Sequence, residues 1–189
     1  MLVAERCPLC RRPGPAPCAA CAAQVSSPLG TPTVPVAFAF DGAGRRLVLA
    51  LKYANGRSLV RPIARAMARL VSRGSIDVVT WAPTSRARRK ERGYDQAELL
   101  ARAVSWQLGV PCRRLLDRAD QSPPQTGRTR TERLGGPVFR ARRRVRGRVL
   151  LVDDVVTTGA TLRNAQQALR AAGAVDVRCI AAAATPRMP

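Results

Sequence analysis

An almost wholly apolar run, Val149-Leu150-Leu151-Val152, ends in two adjacent acids, Asp153 and Asp154, and then opens into Val155-Val156-Thr157-Thr158-Gly159-Ala160-Thr161. Four consecutive branched apolar residues fit a strand buried on both faces, which is the environment of a parallel sheet covered by helices. The two carboxylates then fall at the carboxyl end of that strand. The Thr-rich turn leads into a helix, where unpaired backbone amides collect. A strand end, acids and a helix N-terminus in this order can hold a phosphorylated sugar: carboxylates accept from ribose hydroxyls, and amides and threonine hydroxyls donate to a phosphate.

The rest of the chain repeats the alternation of strand and helix. Val34 to Phe40 reads as a strand leading to a turn at Asp41-Gly42. Leu47, Val48 and Leu51 mark a helix through Lys52-Tyr53, closed near Gly56. Ser58 stands where it would cap a helix whose inward face is Leu59, Ile63, Met67 and Leu70. Ile76 to Trp81 is a strand that stops at Pro83, and the basic stretch Thr84 to Gly93 is not core. Asp95 with Glu98 forms a capping box for a helix continued by Leu99, Ala103 and Trp106. The polar segment Asp117 to Pro137 reads as a long loop, a length that in compact domains goes with mobility or function. Leu162, Ala165, Leu169 and Ala172 give a helix stripe ended by Gly173, and Val175 to Ala182 a last strand. Residues 34–189 are therefore expected to form one α/β domain with an open, mainly parallel sheet.

Residues 1–25 hold a different signal. Cys7-Pro8-Leu9-Cys10 and Cys18-Ala19-Ala20-Cys21 are Cys-x-x-Cys pairs separated by seven residues. Four thiolates at this spacing suit a structural zinc ion in a small knuckle, joined to the domain by a linker at 26–33. The residues between the pairs are poor in core-forming side chains, so a metal would supply most of the folding energy. Two redox dithiols are the alternative. Cys112 and Cys179 stand alone and read as buried structural thiols.

With 33 Lys and Arg against 12 Asp and Glu, the formal charge is +21, carried without a histidine. Such a surface favours polyanions. GC-rich codon drift, which raises Ala, Arg, Gly and Pro together, accounts for the same composition. The missing histidine excludes a Ser-His-Asp triad, and neither a Gly-x-x-x-x-Gly-Lys nor a Gly-x-Gly-x-x-Gly turn occurs. No apolar run is long enough to enter a bilayer as a spanning helix, and the N-terminus lacks signal-peptide regions. A cytoplasmic setting without membrane insertion is expected.

Val149 to Leu162 resembles the 5-phosphoribosyl-1-pyrophosphate motif of type I phosphoribosyltransferases. Further features resemble the ComF/GntX branch, with its double zinc ribbon-like N-terminus. These are the Cys7/Cys10/Cys18/Cys21 knuckle, Leu51-Lys52-Tyr53, the stretch Arg88 to Ala97 with Arg92-Gly93-Tyr94-Asp95-Gln96, and Gln125-Thr126-Gly127. The resemblance implies a phosphoribosyltransferase that binds 5-phosphoribosyl-1-pyrophosphate with magnesium. It implies Asp153 and Asp154 at the ribose hydroxyls and Thr157, Thr158, Gly159, Ala160 and Thr161 around the 5-phosphate. It also puts Pro83, Thr84 and Ser85 in the pyrophosphate loop, with Arg86 or Arg89 near the diphosphate, and makes residues 118–137 a hood. The chain departs from the family pattern at Gly135-Gly136, where an Asn is expected between Arg133 and Phe139, and at Ala82-Pro83. Both departures favour binding over turnover. The resemblance also implies the alternative of a non-catalytic competence and DNA-uptake adaptor, with single-stranded DNA or DNA-processing proteins as partners. It leaves the acceptor open and allows a homo-oligomer.

Overall fold

The computed structural model describes residues 6–28, 34–53, 56–119 and 136–185. The sheet is built from β1 (Val36–Ala39), β2 (Val78–Trp81), β5 (Arg148–Val156) and β6 (Asp176–Ala184), in the order β1-β6-β5-β2 and parallel throughout. The central pair β5 and β6 is the most apolar, as burial on both faces requires. A separate antiparallel ribbon joins β3 (Leu116–Ala119) to β4 (Val138–Ala141). The chain segment expected as a loop from Asp117 therefore begins on a strand, and its far end returns on β4. Residues 120–135, with Gln125-Thr126-Gly127, Arg133 and most of the expected hood, lie outside the described residues.

Two cores flank the sheet because β5 alternates. Leu150 and Val152 pack with α2 (Gly42–Tyr53), α3 (Val60–Ala68) and α5 (Gln96–Leu108), around Leu51, Leu59, Met67, Leu100 and Ile180. Val149 and Leu151 pack on the opposite face with α6 (Ala160–Ala171) and the β3–β4 ribbon, around Leu116, Phe139, Leu162 and Leu169. Each fully buried leucine stabilises the fold by about 2 kcal/mol over leaving it exposed. Helix α2 lies so close to β1 that a Cβ on Gly44 would collide with the carbonyl oxygen of Ala39. Only glycine permits that approach.

Several local expectations change in the packed chain. Ser58 lies inside a 3₁₀ turn (Arg57–Leu59) that runs directly into α3, and no side chain caps that helix. Leu70 falls beyond the end of α3 and is 39% exposed. In α5 the buried stripe is Ala97, Leu100, Ala101 and Val104, while Trp106 is 78% exposed. The basic stretch contains a helix, α4 (Arg86–Arg92), started by Ser85, whose side chain accepts from the Arg88 amide. Cys112 and Cys179 are half-buried rather than fully buried. No helix of the described residues is long and apolar enough to cross a membrane.

The N-terminal segment carries one helical turn, α1 (Ala19–Ala22). Leu9, Ala16 and Val25 pack against the larger core, and the Ala39 amide donates to the Ser26 carbonyl at 3.0 Å.

Candidate functional site

Strand β5 does not stop at the acids. Its pairing with β6 continues through Asp153↔Ala181, Val155↔Ala183 and Val156↔Ala184. Successive side chains of a strand point to opposite faces, so the adjacent carboxylates are separated. Asp153 follows Val149 and Leu151 into the face covered by α6 and is 8% exposed. Its Oδ1 accepts from the Asp154 amide at 2.8 Å. Burial pushes the Asp153 carboxyl well above its usual pKa, and the neighbouring Asp154 charge pushes the same way. Asp154 follows Leu150 and Val152 toward the α2 face, where its Oδ2 meets the Lys52 Nζ at 2.8 Å. Lys52, on the last turn of α2, is a site residue that sequence reasoning did not assign. Its only signal was its place in Leu51-Lys52-Tyr53.

The turn beyond the strand is open. Thr157 and Thr158 are exposed. Gly159 is the N-cap of α6 with φ 75°, a left-handed conformation that an L-residue rarely adopts. The Ala160 amide is 3.4 Å from the Thr158 Oγ1, and Thr161 lies in the first turn of the helix. Arg163, also missed from sequence, folds back so that its Nη1 donates to the Thr158 carbonyl at 2.7 Å. The amides of the first helical turn, the threonine hydroxyls and this guanidinium make a cationic rim suited to a phosphate. Pro137, at the end of the expected hood segment, meets the same helix: the Asn164 Nδ2 donates to the Pro137 carbonyl at 3.0 Å.

The expected pyrophosphate loop leaves the same edge of the sheet. Strands β2 and β5 are in parallel register with Trp81 opposite Val152, and the Ala82 amide donates to the Val152 carbonyl at 3.1 Å. Pro83 is buried, and Thr84 and Ser85 are half-buried. The Thr84 amide donates to Asp95 Oδ2 at 2.9 Å. Asp95 is also the N-cap of α5, accepting from the Ala97 and Glu98 amides. Arg86 is exposed, and Arg89 lies 3.9 Å from Glu98, which it shares with Arg102. Thus residues 83–86, Asp154 and residues 157–161 are all delivered to the carboxyl edge of one parallel sheet, where ligands of open α/β sheets sit. Asp153 instead points into the core.

Among the described residues, Cys7, Cys10, Cys18 and Cys21 form the one group of three or more metal-ligating side chains, with sulfurs within 4.8 Å of one another. Burial raises the Cys7 thiol, but amides of Cys18, Cys10 and Leu9 outweigh it and bring its pKa down to about 6. Burial and the neighbouring thiols push Cys21 up to about 12. Sulfurs this close cannot all ionise without a cation between them, so the donor set fits a tetrahedral zinc. One four-cysteine cluster is present among the described residues, not the two centres of a double ribbon. The acids of the described residues form no such cage. Asp154 offers a single carboxylate, which fits magnesium held mainly by oxygens of a phosphorylated ligand.

Among the described residues, the basic surface has two dense strips. In α4 no residue is buried, and Arg86, Arg88, Arg89 and Lys90 are exposed. Arg140, Arg142, Arg143, Arg144 and Arg146 are exposed around β4 and the following loop. Part of the charge is structural: Arg148 binds Asp77 at 2.6 Å and Arg142 lies 3.6 Å from Asp117.

Residues 95–188 match the family model of the phosphoribosyl transferase domain. Competence protein ComFC of Streptococcus pneumoniae is 34% identical over 99 residues, 51% of this chain and 43% of that protein, so the match spans less than half of the relative. Among solved structures, a purine phosphoribosyltransferase from Pyrococcus horikoshii is 20% identical, covering 69% of this chain and 78% of that one, with a TM-score of 0.45. An adenine phosphoribosyltransferase from Thermoanaerobacter pseudethanolicus is 16% identical, covering 71% and 83%, with a TM-score of 0.46. The allosteric regulatory enzyme of purine biosynthesis is 26% identical, covering 64% of this chain and 25% of that one, with a TM-score of 0.44. The chain is an α/β protein with a parallel four-stranded sheet of type I phosphoribosyltransferase topology. It is homologous to ComFC over the matched stretch.

Proposed function

We propose that this chain is a competence-type adaptor for DNA uptake whose phosphoribosyltransferase-like site binds 5-phosphoribosyl-1-pyrophosphate with magnesium as a ligand and does not turn it over. The observation that carries this reading is the state of the two acids. Transfer at the anomeric carbon develops positive charge on the sugar, and an ionised carboxylate beside it would have to stabilise that charge. Asp154 has its charge matched by Lys52 at 2.8 Å. Asp153 is buried on the other face, with its carboxyl pushed toward the neutral form. Hydrogen bonding survives this arrangement, while charge stabilisation does not.

Binding needs less. Thr157, Thr158, Gly159, Ala160 and Thr161 would hold the 5-phosphate through amides and hydroxyls, with Arg163 beside them. Pro83, Thr84, Ser85, Arg86 and Arg89 would face the diphosphate. Asp154 would accept from a ribose hydroxyl through its Oδ1, with its Oδ2 still beside Lys52. When bound, magnesium would neutralise diphosphate charge. The exposed arginines of α4 and of 140–146 would meet single-stranded DNA through its phosphates, without aromatic stacking to add sequence preference. The ComFC match supports the competence role.

The phosphoribosyl transferase domain match over residues 95–188 favours a second reading, in which a nucleophile displaces pyrophosphate and the phosphoribosyl group is transferred. One experiment separates them. Calorimetric titration with 5-phosphoribosyl-1-pyrophosphate and magnesium is followed by a screen of bases and amines for pyrophosphate release. Binding is expected, weakened strongly by Asp153→Asn combined with Asp154→Asn and less by Thr161→Val. No pyrophosphate release is expected. Single-stranded DNA should bind with an affinity that collapses as salt is added. Release with any acceptor would establish the transferase reading, and absence of binding would refute the site.

A further inference from the structure

Two sequence motifs to which the sequence assigned no role, Leu51-Lys52-Tyr53 and Arg92-Gly93-Tyr94, meet in space. Lys52, Tyr53, Arg57, Glu91, Arg92 and Tyr94 line a cleft of about 280 Å³, near the lower end of small-ligand pockets. The lining joins the end of α2 and the following 3₁₀ turn to the end of α4.

The walls are cross-braced. The Arg57 guanidinium lies over the Tyr94 ring at 5.2 Å, and the Arg92 guanidinium over the Tyr53 ring at 5.0 Å. Each segment thus lends its arginine to the tyrosine of the other. Arg92 Nη2 donates to the Tyr53 hydroxyl at 2.9 Å, and the Tyr94 hydroxyl donates to the Leu51 carbonyl at 2.5 Å. Both ring faces carry a guanidinium, so the cleft is a poor stacking platform. It is instead a rigid frame for cations. Lys52, Arg57 and Arg92 stand against two carboxylates, Glu91 in the lining and Asp154 beside Lys52. Arg57 has no ion pair among the described residues, and the buried Arg92 Nε has no hydrogen-bond partner. The exposed Arg57 guanidinium, held only by the Tyr94 ring, is therefore open to an incoming oxygen anion.

We propose that this cleft is a second anion site, separate from the sugar-phosphate turn, which takes a small free phosphoanion of the diphosphate or phosphomonoester class. Lys52 is shared between the two sites. An anion in the cleft competes with Asp154 for the Lys52 ammonium, so its binding frees Asp154 toward the ribose position. The two ligands therefore help each other, and by linkage the help is reciprocal. The proposal rests on the sugar-site reading only through Asp154.

The test uses inorganic pyrophosphate as probe, titrated into the full chain by calorimetry. Arg57→Ala, an exposed position outside the sugar edge, should weaken pyrophosphate about tenfold, the scale of one charge-assisted hydrogen bond. Arg86→Ala should change it less than about twofold. Asp154→Asn frees Lys52 and should tighten pyrophosphate several-fold while weakening 5-phosphoribosyl-1-pyrophosphate. Pyrophosphate weakened by Arg86→Ala and untouched by Arg57→Ala would overturn the cleft. Unchanged or weakened pyrophosphate in Asp154→Asn would overturn the shared lysine, even with sugar binding intact. Tightening in Asp154→Asn with no binding of the sugar ligand by the unmodified chain would sustain the cleft and refute the sugar site instead.

Discussion

Asp95 joins two parts of the site with one side chain, and its removal gives a graded prediction. Its Oδ1 accepts from the Ala97 amide at 3.1 Å and the Glu98 amide at 3.4 Å, capping α5. Its Oδ2 accepts from the Thr84 amide at 2.9 Å, holding the loop after β2. Burial raises the Asp95 carboxyl pKa, with these amides opposing the shift, so the negative charge matters less than the oxygen positions. Asp95→Ala loses the cap, at about 1 kcal/mol. It also leaves the Thr84 amide without its acceptor, at about 1–2 kcal/mol more. The total of about 2–3 kcal/mol corresponds to a fall of roughly 1 M in the urea midpoint for a slope near 2 kcal/mol/M. Asp95→Asn keeps an oxygen at the cap but turns an amide nitrogen toward the Thr84 N–H, so it should lose only the loop bond and fall between the two. Urea unfolding of the three proteins with a common slope is the assay. A loss below about 0.5 kcal/mol in Asp95→Ala, or equal losses in Asn and Ala, would refute this division of roles. Weaker sugar-phosphate binding in Asp95→Asn, at full folding, is the functional counterpart.

Freshly purified reduced protein should contain about one zinc per chain, lost in Cys7→Ser or Cys18→Ser and kept in Cys112→Ser, as metal analysis would read. Metal-free protein would refute the knuckle. The raised Asp153 carboxyl also has a stability signature. The folded state holds a proton that the unfolded chain releases near the usual 3.8, so folding weakens as pH rises from there until the buried group itself ionises. Asp153→Asn removes this titration. The Tm of the variant minus that of the unmodified protein should therefore grow between pH 4 and pH 8, and a flat difference would refute the buried, proton-retaining acid.

Much of the sheet is written locally. Val149 to Val152 reads as a strand buried on both faces, because four branched apolar side chains in succession leave no face for water. Two Cys-x-x-Cys pairs, the acids and the Thr-Thr-Gly-Ala-Thr turn are each legible from spacing and residue type. Asp95 announces the start of α5 for the same reason, since its oxygen reaches amides two and three residues on. The positions of the buried stripes were less legible. In α5, a large indole such as Trp106 looks like core, yet which side of the helix meets the sheet is set by the neighbours it packs against, and Trp106 ends on the outer side.

The chemistry of the acids was not legible at all. Side by side in sequence, Asp153 and Asp154 look like one pair. Continued pairing of β5 with β6 through Val156 turns them to opposite faces, one into the α6 core and one toward α2. Lys52 reaches Asp154, Arg92 reaches Tyr53 and Tyr94 reaches Leu51 only after helices far apart in the chain dock on the same edge. Spacing, caps and apolar runs act between near neighbours, and the sequence determined those. Charge pairing across the sheet edge depends on register and docking, which no local pattern contains. Tertiary structure alone decided which acid was buried, which was clasped, and that two motifs without an assigned role share a cleft.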